Sequence, residues 1–382
     1  MVNYTFILKH LKPFFFGGEK STFDKAEYFL QSRYFPQQTS ALGLVREYIL
    51  DVANLLGKTK SHESDCNKYI GSGSFNGQFN QGAIMCLSPI QVVETINTNN
   101  TIEITDVLFL SKFDLSKINL LKINARVDFG FTHANEIDLI GLVAGRKQKI
   151  YDSKDKDFID NRFISINNTN NIPLSAFYDE DLLAKLGFKK IKEPGVFIEN
   201  VKSGNTKNYN GNSKDNKDGF YKQISYELNK GYSFAFEVSI DENIFPKDLS
   251  VKNKTIRFGG RASMFSMTII KDKEIQQLSS NRNGNSLLLL SDALVDNSVY
   301  ENITSCITDT LTLRYATTTN AEADYNKRLN REYDKSRQFG SERKTLLSRG
   351  SILISNNVKE TLEYFNNEID FLKLGYNKTI QL

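Results

Sequence analysis

The stretch FPQQTSALGLVR at residues 35–46 fixes where this chain must leave extended structure and turn helical. Pro36 sets φ and ends whatever precedes it, Thr39 and Ser40 are good N-caps, and apolar residues then recur at Leu42, Val45, Ile49, Val52, Ala53 and Leu56. This spacing predicts a one-faced helix closing at Gly57. Its opening turns place Gln38, Thr39, Ser40, Gly43 and Arg46 around backbone N–H groups that lack intrahelical partners, and a phosphate fits such a place. An amphipathic core helix with ordinary caps has the same pattern, so the stretch alone leaves both readings open.

At 382 residues the chain is long enough for two domains with real cores. Lys and Arg number 49 against 45 Asp and Glu, a net charge of +4, so overall charge does not drive nucleic-acid binding and any basic site must be local. Cys66, Cys86 and Cys306 have no metal-ligand spacing and cannot all pair, which suits a reducing compartment. The N-terminal MVNYTFILKHLKPFFF alternates like a strand and has no small-residue cleavage site, and no apolar run is long enough to span a bilayer. The expectation is a cytoplasmic protein with no membrane partner.

Strand-like patterning predicts strands at residues 4–11, 102–110, 121–131, 195–201, 220–228, 232–240 and 351–355, residues 286–295 are apolar enough for a buried strand, and helix-like patterning predicts helices at 179–187, 324–335 and 358–373. In the first half, strand, helix, two strands, helix and strand is the ferredoxin-like order. Residues 71–82 (GSGSFNGQFNQG) lack the lysine and helix of a P-loop and are expected to be a flexible insertion. Residues 202–219 are polar without apolar periodicity, which predicts a mobile finger. In IRFGGRASMFSMTII at 256–270, Gly259 and Gly260 precede Arg261 and Ser263 between two strands; paired glycines let a backbone approach a ligand or form a plain turn. The window 327–349 has a local excess of cations, including Arg343, Lys344 and Arg349, which suits either a solvated face or a binding surface.

The three histidines, His10, His62 and His133, have no partners at metal spacing, and GxSxG and HExxH are absent. Asp179 and Asp181 begin a predicted helix, where carboxylates belong for dipole reasons. The expectation is a non-catalytic protein without metal or cofactor.

Taken together, these stretches resemble a family: the RAMP-superfamily subunit that caps the foot of type III-B CRISPR Cmr effector complexes, the third Cmr subunit, related to the Cas-five group. FPQQTSALGLVR resembles the family's Pro-x-Thr/Ser-x-x-Gly-x-x-Arg helix start, and GVFIE, the polar finger and GFYKQISYEL resemble its glycine-started strand, hairpin and Gly-x-Tyr strand. FGGRASMF resembles its glycine-rich loop, with Arg261 where many relatives carry an acidic residue. RKTLLSRGSILI and GYNK resemble its terminal basic segment, Gly-Ser strand and last glycine turn.

The resemblance implies an α+β fold of two ferredoxin-like (RRM-like) domains with loop insertions and a protruding hairpin: residues 1–200, a finger at 201–219, and 220–382. It implies no enzymatic activity and binding of the CRISPR RNA 5′ handle through Gln38, Thr39, Ser40, Gly43, Arg46, Gly259, Gly260, Arg261, Ser263, Arg343, Lys344 and Arg349. The implied partners are that RNA, the large polymerase-like subunit and the adjacent backbone RAMP subunit. Three rivals are a type III-A or III-D equivalent, a superfamily endoribonuclease that processes precursor RNA, and a structural module without RNA contact. Such nucleases place a histidine near the first helix or the glycine loop, and neither motif here contains one.

Overall fold

The computed structural model describes residues 1–17, 20–23, 27–58, 61–71, 75, 78–98, 101–113, 159–166, 190–206, 219–260, 262–275, 284–295, 299, 302–308, 310–314 and 343–381. Its first half contains β1 (Val2–His10), β2 (Lys20–Phe23), β3 (Glu27–Gln31), α1 (Gln38–Ala53), α2 (Glu63–Ile70), β4 (Ile84–Leu87), β5 (Gln91–Thr98), β6 (Thr101–Phe113), β7 (Ile159–Ile166), β8 (Lys190–Lys192) and α3 (Glu193–Val196). The second contains β9 (Phe197–Thr206), β10 (Gly219–Leu228), β11 (Tyr232–Ile240), β12 (Val251–Arg257), β13 (Met264–Lys271), β14 (Ser286–Leu289), β15 (Ala293–Leu294), β16 (Ile303–Ile307), β17 (Thr310–Arg314), β18 (Arg343–Leu347), β19 (Ile352–Ser355), α4 (Val358–Asn367), α5 (Ile369–Lys373) and β20 (Thr379–Gln381). The fold is α+β, rich in largely antiparallel sheet and poor in helix.

The largest sheet runs β12-β13-β1-β11-β5-β6-β7-β8, with β4 also paired to β11. β1 lies between β13 and β11, antiparallel to both, so that Phe6 faces Phe236 on one side and Ile269 on the other. Its alternation divides the sheet into two surfaces. Tyr4, Phe6 and Leu8 share the main core with Leu42, Val45 and Ile49 of α1, and the Phe6 and Tyr48 rings meet edge to face at 6.5 Å. On the opposite surface Ile7 joins Val93, Val107, Ala235 and Ile275 in a smaller cluster.

A second sheet, β2-β3-β10-β9, carries the hairpin of the expected finger; there β10 runs parallel to β3 and antiparallel to β9. Phe14 ties this sheet to the first. Its N–H donates to Tyr226 O at 2.7 Å, its carbonyl accepts from Tyr226 N at 3.1 Å, and its fully buried ring lies among Phe16, Phe234 and Phe265. Two smaller sheets, β16-β19-β14-β20 and β15-β18-β17, close the C-terminal part, where Phe365 of α4 joins a separate core with Leu287, Leu289 and Leu353.

Several expectations are corrected. α1 is capped by Gln37 rather than Thr39 or Ser40, which lie in its first turn; it ends at Ala53 because Asn54 takes a left-handed φ of 61°, and Leu56 beyond it is 48% exposed. The expected helix at 358–373 is two helices broken at Glu368, the first opened by an Asn357–Glu360 capping pair. The expected strand at 286–295 is likewise broken, into β14 and β15. In the glycine-rich stretch after α2, described residues are held in place: Phe75 packs edge to face on Phe371 at 5.4 Å, and Gly71 and Gly82 meet so closely that a Cβ on Gly82 would stand 2.7 Å from Gly71 N; residues 72–74 and 76–77 lie outside the described residues. The boundary expected at residue 220 does not separate two sheets, because β11, β12 and β13 pair into the same sheet as β1 and β5. The strand expected at 121–131 and the helices expected at 179–187 and 324–335 lie outside the described residues.

Phe14→Ala should destabilise the chain by about 3–5 kcal/mol, the range for emptying a buried phenylalanine site, in urea unfolding followed by fluorescence. Leu56→Ala should change stability by less than about 0.5 kcal/mol.

Candidate nucleic-acid interface

The start of α1 is built from Phe35 inward. The Arg349 guanidinium lies over the Phe35 ring with its carbon 3.9 Å from the ring centroid, a cation–π stack that Arg makes better than Lys because its charge is planar. Arg349 is only 6% exposed; it donates through Nη1 to Ile90 O, and its backbone N–H donates to Asp292 Oδ1 at 2.9 Å. Burial pulls its pKa below the usual guanidinium range, and the nearby Asp292 charge opposes that pull.

One turn further, Gln38 is 1% exposed and its amide is fully engaged. Nε2 donates to Ser88 O and Leu374 O, each at 3.0 Å, and Oε1 accepts from Ile90 N at 3.2 Å. Gly375 makes this possible: it sits at φ +88°, and a Cβ there would collide with Gln38 Nε2 and stand 2.7 Å from Ser88 O. Tyr376 follows, fully buried, its phenol pushed above the ordinary range by burial and by Asp292. Gln38 and Arg349, expected to contact RNA, are therefore spent inside the chain, where they bind the helix start to the last glycine turn.

The other expected residues divide in the same way. Arg46 is half-buried and donates through Nη2 to Gly71 O at 3.3 Å, and burial lowers its pKa. The Ser263 hydroxyl is buried, accepts from Phe15 N at 2.9 Å and donates to Gly260 O at 2.5 Å. Gly259, at φ +95°, approaches Phe15 and Phe16 so closely that a Cβ would stand 2.9 Å from Phe15 O, and Gly260 N donates to that same oxygen at 2.7 Å. The glycine loop thus owes its composition first to Phe15 and Phe16. Lys344 is half-buried in β18 opposite Leu313, and Arg343 pairs in register with Arg314. Arg261 lies outside the described residues.

What remains open to solvent is the outer face of α1, with Ser40 and Gly43 exposed and Thr39 half-exposed, and the backbone of Gly259 and Gly260. Gly43 has no atom within 4 Å of where its Cβ would be, so nothing in this chain requires glycine there. Beyond this, the finger's arms are regular ladder: β9 and β10 pair from Phe197–Leu228 out to Thr206–Gly219, with Lys202, Ser203 and Lys222 exposed. Residues 207–218 lie outside the described residues. Among the described residues no group of three or more His, Cys, Asp or Glu could hold a metal ion, and no helix is long and apolar enough to cross a membrane.

Residue-by-residue reading missed Phe35, Phe197 and Tyr376 as the residues that hold this region together. Phe35 meets Phe197 at 6.1 Å and Phe234 at 5.8 Å, both edge to face. The available signal was an aromatic directly before Pro36 and another directly after Gly375, each flanking a residue forced by backbone geometry.

Gln38→Ala should cost about 1–3 kcal/mol or more, since it orphans two buried carbonyls and an N–H. Tyr376 adds a pH dependence whose sign follows from its raised pKa. Its contribution is complete below about pH 10, the unfolded phenol's value, and is lost progressively above it. Thermal melting from pH 8 upward should show a steeper alkaline loss in the wild type than in Tyr376→Phe.

No family model matches the chain, and no curated protein does. Among solved structures the chain is similar to a chain of the cryo-EM structure of the Type III-B Cmr-beta bound to cognate target RNA, with 13% identity, a TM-score of 0.45, and 99% of this chain and 96% of that chain covered. For the same complex bound to cognate target RNA and AMPPnP the identity is 13%, the TM-score 0.43, and the coverage 98% and 95%. For the crystal structure of the Csm1-Csm4 cassette in complex with AMPPNP they are 11%, 0.31, and 93% and 88%.

Proposed function

We propose that the chain is a non-catalytic CRISPR RNA-binding subunit of a type III-B (Cmr) effector complex. It caps the complex's foot and holds the 5′ handle of the CRISPR RNA beside the large polymerase-like subunit, with the adjacent backbone RAMP subunit as its other neighbour. Its two halves are then variants of the ferredoxin-like unit.

The observation that carries the reading is the convergence of stretches far apart in sequence. Phe35 of the helix-start motif touches Arg349 of the terminal basic segment and Phe197 of the strand before the finger. Gln38 bonds Leu374, next to the last glycine turn. Tyr34 packs on Tyr226 of the strand after the finger at 4.4 Å, and Phe16 joins Phe258 of the glycine loop at 5.6 Å. The residues that carry the family resemblance therefore form one joint, bordered by the open α1 face and the open glycine loop. A handle is single-stranded, so its bases splay and can be read while backbone N–H groups and scattered cations hold its phosphates.

The Gly43 face separates this reading from a structural one. Gly43→Ala should stabilise the free chain by about 0.5–1 kcal/mol, the gain for replacing an exposed helical glycine. Gly43→Glu should leave the fold intact yet weaken binding of an RNA bearing the repeat-derived handle by tenfold or more, read by fluorescence anisotropy in the assembled complex. Equal affinity of Gly43→Glu and wild type would reject handle contact at this face. Incubated with precursor RNA and divalent metal, the purified chain should produce no cleavage, and cleavage dependent on one of its own side chains would favour the endoribonuclease.

A further inference from the structure

The outer surface of the large sheet, the one turned away from α1, carries a cavity of about 220 Å³. Its floor is Ile7 with Lys9 of β1 and Ser266 of β13, and Lys9 and Ser266 are register partners. One wall is Lys252 and Asn253 of β12, pushed out by a bulge between Val251 and Lys254 that also puts Asn253 at φ 52°. The other wall is Asn97 and Ile102, at the end of the β5–β6 hairpin. In the sheet order, β5 is separated from β1 by β11 and lies four strands from β12. Asn97 and Ile102 nevertheless line one cavity with Lys252 and Asn253, which makes this part of the sheet surface a trough.

The chemistry of this trough is one-sided. Lys9 and Lys252 are exposed and neither makes an ion pair with the described residues, and among the described residues no carboxylate lines the cavity. The amides of Asn97 and Asn253 and the Ser266 hydroxyl have no side-chain hydrogen-bond partner among the described residues, whereas Ile7 is buried and Ile102 half-buried. We propose that the trough binds one nucleotide of single-stranded RNA, its base against Ile102 above the buried Ile7, its edge read by Asn97 and Asn253, and its two flanking phosphates held by Lys9 and Lys252. An acidic peptide would use the lysines but would leave the apolar floor and the paired amides without a role. Splayed bases held on their faces and read on their edges are the usual mode for single strands. This inference rests on the RNA-binding reading above but concerns a different surface, reached from β1, β12 and the β5–β6 hairpin rather than from α1.

The test is anisotropy of a short fluorescein-labelled oligoadenylate on the full chain across a salt series, for wild type, the Lys9→Ala/Lys252→Ala double variant and Gly43→Glu. If each lysine neutralises one phosphate, the double variant should flatten the slope of log K against log salt by about 1.4, two contacts at about 0.7 each. Its affinity should fall at least tenfold while its melting temperature stays within error, both lysines being exposed. Wild-type binding with an unchanged slope in the double variant overturns the trough and leaves the proposed function standing. A slope flattened only by Gly43→Glu assigns the RNA to α1 alone and has the same consequence. Displacement of the wild type's RNA by oligoglutamate, with oligoglutamate binding lost in the double variant and RNA binding retained, identifies the trough as a peptide site and overturns the proposal. No RNA binding by any form, free or assembled, rejects both readings.

Discussion

The stack of Arg349 on Phe35 decides how the first helix meets the last third of the chain. A guanidinium taken out of water loses several kcal/mol of hydration, and one neighbouring carboxylate seldom restores it. Here the loss is offset in three directions: the ring beneath, the Ile90 carbonyl that accepts from Nη1, and the negative charge of Asp292. Each of these partners belongs to a different part of the chain. The charge is thereby tolerable only when the extended residue before Pro36, the approach to β5 and the turn after β14 are all in place. Gln38 repeats the arrangement with neutral groups, its single amide serving Ser88, Ile90 and Leu374. A residue that satisfies three distant backbone groups also specifies their relative positions, because any other arrangement leaves a buried polar atom unpaired.

Beneath this joint, a strip of phenylalanines replaces what a longer helix pair would supply in a helical protein. Phe14 and Phe16 stack at 4.6 Å and reach Phe234 and Phe265 of the large sheet, while Phe197 brings in the sheet of the finger. Because β1 pairs with strands more than 220 residues away, the central sheet closes only after residues 232–271 arrive. Such long-range pairing is slow to form, and a dense aromatic strip that rewards partial collapse suits it. Gly350 extends the packing to the C-terminal sheets: at φ +78° it lies so near β6 that a Cβ would stand 2.9 Å from Leu110 Cγ.

Local pattern made some of this legible and not the rest. Period-two alternation located β1, β10 and β11 to within two residues, although residues 4–8 of β1 and 233–236 of β11 are buried on both faces, between the main core and the smaller cluster on the opposite surface. Helical spacing located α1, yet its caps were misplaced, since hydroxyls at Thr39 and Ser40 looked more like caps than Gln37 did and tertiary contacts with the last turn set the boundary instead. The paired glycines were readable as a close approach, but not that the approaching group is Phe15 rather than a ligand. Cations behaved likewise. Arg46 and Arg349 look identical in sequence to arginines that bind phosphate; only the partners Gly71 O, Ile90 O and Phe35, which lie up to 314 positions away in sequence, show that they are spent internally.

That internal use of arginine has a consequence for affinity. With a net charge of +4 and Arg349 buried, cations that the described residues do expose, such as Lys9, Lys202, Lys222 and Lys252, are spread over two sheets, so a strand lying on either sheet meets only some of them. Few phosphate contacts mean a shallow salt dependence and weak binding of an isolated strand. An RNA already held by neighbouring subunits changes the arithmetic, because the strand is then presented at high effective concentration and each modest contact adds to one that exists. Under the proposed function, such a chain would fix the position of an RNA end by shape, through glycine backbone and the trough on the large sheet, and would leave the bulk of the electrostatic attraction to its neighbours.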